Sequence, residues 1–80
     1  VKTVYILRSL PFPANRYIGT TSDVARRLLE HNHGESPHTA RFRPWSLLVS
    51  IHFDDDRRAQ EFERYLKTGS GQAFAKKHLG

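Results

Sequence analysis

The segment LPFPAN, residues 10–15, stands between two β-favouring runs, and no other feature limits the fold as tightly. Its two prolines, which cannot donate to a sheet ladder, and its asparagine end a first strand read over Val4, Tyr5, Ile6 and Leu7. A second strand opens at Arg16-Tyr17-Ile18-Gly19. So short a connection makes the pair an antiparallel hairpin. Alternation puts Tyr5 and Leu7 on one face of the first strand, and Tyr17 with Gly19 on one face of the second. It leaves open whether the two tyrosines share a face of the sheet.

Beyond the hairpin, Thr20, Thr21, Ser22 and Asp23 are all cap-type residues, with Ser22 the first choice, and VARRLLEHN follows as a helix. At about 100° per residue, Arg27, Leu28 and His31 fall within about 60° of Val24, whereas Arg26 and Leu29 point away. Asn32, His33 and Gly34 close this helix, Gly34 as a left-handed terminator. Residues 35–43 read as a basic polar loop. PWSLLVSIHF then reads as a third strand anchored by Trp45, and the aspartates at 54–56 precede a helix over RRAQEFERYLK. Ala59, Phe62 and Leu66 form the apolar stripe of that helix, with Glu63 beside it and Glu61 toward water. The tail TGSGQAFAKKHLG reads as a glycine-broken turn followed by one or two helical turns that dock Phe74 and Leu79. The fold class expected is α+β, a small three-stranded antiparallel sheet flanked by helices.

With 80 residues, the chain suits one domain over 1–80 and one thin core. It has no cysteine, which excludes disulfides, thiolate zinc sites and a thiol nucleophile. Thirteen Lys and Arg against eight Asp and Glu give a formal charge of +5, which favours a polyanionic partner, although solubility alone also explains it. No apolar run approaches the ~20 residues of a membrane span, and VKTVYILRSL reads as a strand instead of a signal peptide. A cytoplasmic protein without membrane contact is the expectation.

Both main helices carry an ionisable group at the edge of the stripe that should bury, where unpaired charge is costly. Glu63 suits a hard divalent ion or a plain ion pair with a neighbouring arginine. Arg27 suits two phosphate oxygens, or simply snorkels. His31, one turn on, can move a proton or orient water, or can be an ordinary helix-end histidine. A phenol at Tyr5 or Tyr17 can donate to phosphate, position water or act as a base, each of which calls for an exposed hydroxyl. Gly19 fits a close approach to the strand end or a simple turn. Arg41, Arg43, Lys67, Lys76 and Lys77 are candidates for contacts to backbone phosphate, with solvated surface as the plain alternative. His33, His38, His52 and His78 lack partners at a recognised zinc spacing.

Taken in order, VYIL, RYIGTTSDVARRLLEHNHG, FRPWSLLV and ERYLK resemble the GIY-YIG nuclease domain, in particular its small stand-alone bacterial members. Tyr5 alone remains of the first tripeptide, while Tyr17-Ile18-Gly19 keeps the second intact. The family's arginine falls on Arg27, its frequent histidine on His31 and its glutamate on Glu63, and Arg64 stands where an asparagine is common. The resemblance implies a metal-dependent endonuclease that hydrolyses phosphodiester bonds in DNA, with one Mg²⁺ or Mn²⁺ held by Glu63. It implies Tyr5 as or beside the general base, Tyr17 organising water or phosphate, Arg27 stabilising the pentacovalent phosphate and His31 in support. Branched or damaged DNA, and a protein partner that supplies specificity, fit a domain this small. Nothing in these residues separates DNA from RNA. The competing readings are a nucleic-acid-binding or repair-associated module with little activity, and a structural interaction domain with an incidental basic surface, which expects Glu63 neutralised by an internal salt bridge and no open cleft between the helices and the strand edge.

Overall fold

A computed structural model describes residues 2–80, whose elements run β1 (Lys2–Ser9), β2 (Arg16–Thr21), α1 (Val24–Asn32), α2 (Pro37–Ala40), β3 (Trp45–Phe53), α3 (Asp56–Leu66) and α4 (Gly69–His78). The three strands form one antiparallel sheet in the order β2-β1-β3. The hairpin forms as its short connection requires, with Tyr5 opposite Gly19 and Leu7 opposite Tyr17. Directly paired residues share a face. Tyr5, Leu7, Tyr17 and Gly19 therefore lie together, which answers the question that alternation left open.

β1 is the central strand, and Val4, Tyr5, Ile6 and Leu7 are each almost fully buried. A central strand covered on both sides reads as an unbroken apolar run, which VYIL is. One face packs Val4 and Ile6 against Ala59, Leu66 and Ala75 of α3 and α4, with Ile18, Phe62, Phe74 and Leu79 around them. The other packs Tyr5, Leu7 and Trp45 with Tyr17, Val24, Leu28 and Phe42, on the side of α1. At the start of β3, the Asn32 side chain accepts from the Trp45 amide at 2.6 Å and donates to its carbonyl at 3.2 Å, which ties the end of α1 to the sheet. Among the described residues, no helix is long and apolar enough to cross a membrane.

Several boundaries differ from the sequence reading. Asp23, not Ser22, caps α1: its carboxylate accepts the Arg26 amide at 3.1 Å, and an anion there also complements the helix dipole. Segment 35–43 is not all loop, because Ser36 and Pro37 start the single turn α2. Pro44 lies outside β3, which begins at Trp45. In the tail, Thr68 accepts the Gly71 amide at 3.0 Å, so the glycines begin a ten-residue helix in place of a turn with one or two helical turns after it. Gly34 does close α1 in the left-handed region, at φ 79°.

Candidate active site on the polar face of the sheet

On the face that α1 covers, the aromatic core is interrupted by polar groups. Tyr5 and Tyr17 stand with ring centroids 6.1 Å apart, and Tyr17 lies 4.7 Å from the imidazole of His31. The helical phase that places Leu29 in solvent turns His31 inward, where it is fully buried. Its Nε2 lies 3.2 Å from the Tyr5 hydroxyl and its Nδ1 2.8 Å from Oγ1 of Thr39. Burial lowers the His31 pKa, and the charge of Arg27 lowers it further against the opposing pull of Glu30. The ring is therefore neutral at neutral pH.

The exposed phenol expected at Tyr5 is not found: the residue is 1% exposed. The sequence could not show that its ring leans across β2 under the cover of α1. Gly19 makes this possible. A Cβ there would sit 2.7 Å from the Tyr5 hydroxyl and 3.1 Å from the Tyr17 ring, so the glycine is neither a turn residue nor a seat for another backbone, but the gap that Tyr5 fills. Burial raises the Tyr5 pKa, Tyr17 and Glu63 add to the rise, and the hydrogen bonding and charge of Arg27 oppose it. Tyr17 is the more accessible phenol of the two, being half-buried.

Arg27 is half-buried beside this hydroxyl. Its Nη1 donates to Glu30 at 2.8 Å, and that bond is the main reason its pKa stands above the ordinary arginine value, with burial opposing and Tyr5 assisting. Arg26 also donates to Glu30, at 3.3 Å. In turn, the two arginines hold the Glu30 carboxyl below the usual range, Arg27 more strongly. A shallow concavity of about 220 Å³, lined by Thr21, Ser22, Asp23, Arg26, Arg27 and Glu30, opens beside this cluster. A larger one of about 480 Å³ lies on the opposite face, between the 13–16 segment and α4, away from the tyrosines.

Glu63 projects from α3, half-buried, and its Oε2 accepts from Lys67 Nζ at 3.0 Å. Its charge adds a minor part to the rise of the Tyr5 pKa. Among the described residues, no three His, Asp or Glu side chains converge as a metal cage. A single carboxylate with solvent on one side nonetheless suits Mg²⁺, which keeps several waters and commonly takes one or two carboxylates and substrate phosphate oxygens. Glu63 fits that mode.

The basic candidates are spread out. Arg41 and Arg43 are exposed around α2, with Arg41 5.5 Å from the Phe42 ring and Arg43 folded against Gly34. Lys76 and Lys77 are exposed on α4, and Lys76 lines the larger concavity on the far face. Lys67 is engaged by Glu63. Two residues of the cluster escaped the sequence reading. Glu30 carries a readable signal, since it lies three and four residues after Arg27 and Arg26. Thr39 carries only the Ser36-Pro37 start signal of a very short helix.

A family model described as the GIY-YIG catalytic domain matches residues 1–77. Among curated relatives, a structure-specific endonuclease subunit SLX1 from Candida dubliniensis is 37% identical over 83 residues, covering 95% of this chain and 28% of the relative. Its counterpart from Debaryomyces hansenii is 38% identical over 71 residues, covering 80% and 20%. That from Scheffersomyces stipitis is 42% identical over 67 residues, covering 75% and 20%. The chain thus spans between 20% and 28% of the length of these relatives. Among solved structures, a UPF0213 protein from Bacillus halodurans superposes with a TM-score of 0.58 at 26% identity, covering 99% of this chain and 86% of that one.

Proposed function

This chain belongs to the GIY-YIG catalytic-domain family, and on that premise we propose that it is a metal-dependent endonuclease that hydrolyses phosphodiester bonds in DNA. The observation that carries the proposal is the convergence of Tyr5, Tyr17, Arg27 and His31 on one face of the sheet, with the charge of Glu63 acting on Tyr5. A module that only binds nucleic acid has no need of an inward carboxylate beside a phosphate site.

In this reading Arg27 leaves Glu30 for the scissile phosphate, whose oxygens its planar guanidinium can hold in pairs while charge builds up. That movement uncovers the Tyr5 oxygen. An attacking water gives its proton to Tyr5 as the phenol passes its own to Nε2 of His31. The relay never requires a free phenolate, which the raised pKa of Tyr5 would disfavour. Tyr17, half-buried beside them, orients water or phosphate. Glu63 would hold the divalent ion, Mg²⁺ or Mn²⁺, which when bound supplies Lewis-acid polarisation of the phosphate. Lys67 then becomes available to substrate phosphate, and Arg41 and Arg43 contact the backbone from the same side of the sheet as Tyr5.

The relatives' description as subunits of a structure-specific endonuclease supports branched DNA as substrate and a protein partner that directs cleavage. A second reading, a binding or repair-associated module with little activity, draws on the Lys67–Glu63 pair and the covered Tyr5 hydroxyl. The two separate on a panel of single-stranded, duplex and branched DNA, with matching RNA, incubated with Mg²⁺ or Mn²⁺. The nuclease reading expects metal-dependent cleavage that Glu63→Gln abolishes. Salt-sensitive binding without cleavage, with and without a partner subunit, would favour the binding module.

A further inference from the structure

The hydrogen-bond accounting around His31 has one consistent solution. The Tyr5 hydroxyl is buried, and Arg27, whose charge acts on it, can only donate. The Tyr5 proton must then find an acceptor, and Nε2 of His31, 3.2 Å away, is the one within reach among the described residues. A bare Nε2 in a neutral ring places the proton on Nδ1, which donates to Thr39 Oγ1 at 2.8 Å. The Thr39 hydroxyl in turn donates to the Ser36 carbonyl at a longer 3.4 Å. The opposite assignment would leave the buried Tyr5 proton without an acceptor, a cost of about 1–3 kcal/mol.

Thr39 is built to hold its end of the chain. It is 2% exposed, and its carbonyl accepts the Trp45 indole N–H at 2.9 Å, which fixes α2 against the start of β3. A residue with no acceptor atom at this position would release the ring to either tautomer.

We infer that Thr39 is a positioning residue for hydrolysis: by accepting the Nδ1 proton of His31 it holds the tautomer whose free Nε2 takes the proton of Tyr5. The inference rests on Tyr5 as the proton acceptor in hydrolysis, and its structural half can be read separately. The test is long-range proton–nitrogen correlation of the His31 ring near neutral pH, in the intact chain and in Thr39→Ser and Thr39→Val, beside single-turnover cleavage by each. The intact chain and Thr39→Ser should show the Nδ1–H tautomer and similar rates. Thr39→Val should populate the Nε2–H form and cleave roughly tenfold or more slowly, the scale expected when a supporting partner of a functional histidine is lost. An Nε2–H ring in the intact chain overturns the inference even if Thr39→Val does not fold. So does a Thr39→Val variant that keeps either its tautomer or its rate. Should the intact chain cleave nothing, the role of Tyr5 fails, while the assignment of the ring stands or falls on the spectra.

Discussion

The two faces of the sheet are built from alternate residues of the same strand and are solved differently. Val4 and Ile6 face an all-apolar layer of Ala59, Leu66 and Ala75, with no buried polar side chain among them. Tyr5, one position along, faces a layer in which His31 and Thr39 are just as buried, and every buried side-chain polar atom among the described residues has a partner. A buried polar network is tolerated only when it is complete, and completeness fixes where each proton resides. The apolar face supplies stability on which the polar face can hold a geometry. Substitutions should divide accordingly.

The largest expected effect is on the apolar side. Leu66→Ala empties a fully buried position and should cost about 2–5 kcal/mol in urea unfolding, while cleavage per folded molecule stays unchanged. Loss of cleavage in the folded fraction would mean that the faces are not separable. Gly19→Ala should do the reverse. The added methyl meets the Tyr5 hydroxyl, and a displacement of that size is expected to slow single-turnover cleavage by about 100-fold, with a smaller stability loss of roughly 1–3 kcal/mol. Arg27→Lys keeps the charge and loses the planar fork, so cleavage should fall by roughly tenfold with little change in melting.

The smallest effect is on pH dependence. Because burial lowers the pKa of His31 from its ordinary 6.5, the unfolded chain takes up a proton that the folded one refuses. The stability that follows is complete above about pH 6.5 and is lost as the pH falls from there toward the lowered folded value, at no more than about 1.4 kcal/mol per pH unit. Urea melts across that interval should show the decline, and His31→Gln should flatten it. An equal slope in the variant would place the titration elsewhere.

Much of this was legible in the residues. The hairpin followed from a short proline-rich connection, and the phase of α1 separated buried His31 from exposed Leu29. The run VYIL carried the sign of a strand covered on both faces, yet alternation alone could not show that Tyr5 would be roofed by α1, since that depends on tertiary packing. Four residues of α2 are too few for periodicity to register, so nothing in the sequence marks Thr39 as buried. Four cap-type residues stand in a row before α1, and only the helix start singles out Asp23 over Ser22. The stripe of α3 places Glu63 at its edge, but only coordinates show that it pairs with Lys67 one turn on in place of the arginine expected.

The most direct test is single-turnover cleavage by Tyr5→Phe beside the intact chain, with unfolding followed on the same samples. Phenylalanine keeps the ring and removes the one group that accepts and passes the proton. If Tyr5 relays that proton, the rate falls by about 100-fold or more while the variant stays folded, at a stability cost of roughly 1–3 kcal/mol for the unpaired His31 nitrogen. An unchanged rate in a folded Tyr5→Phe would contradict it and leave the polar face a structural network.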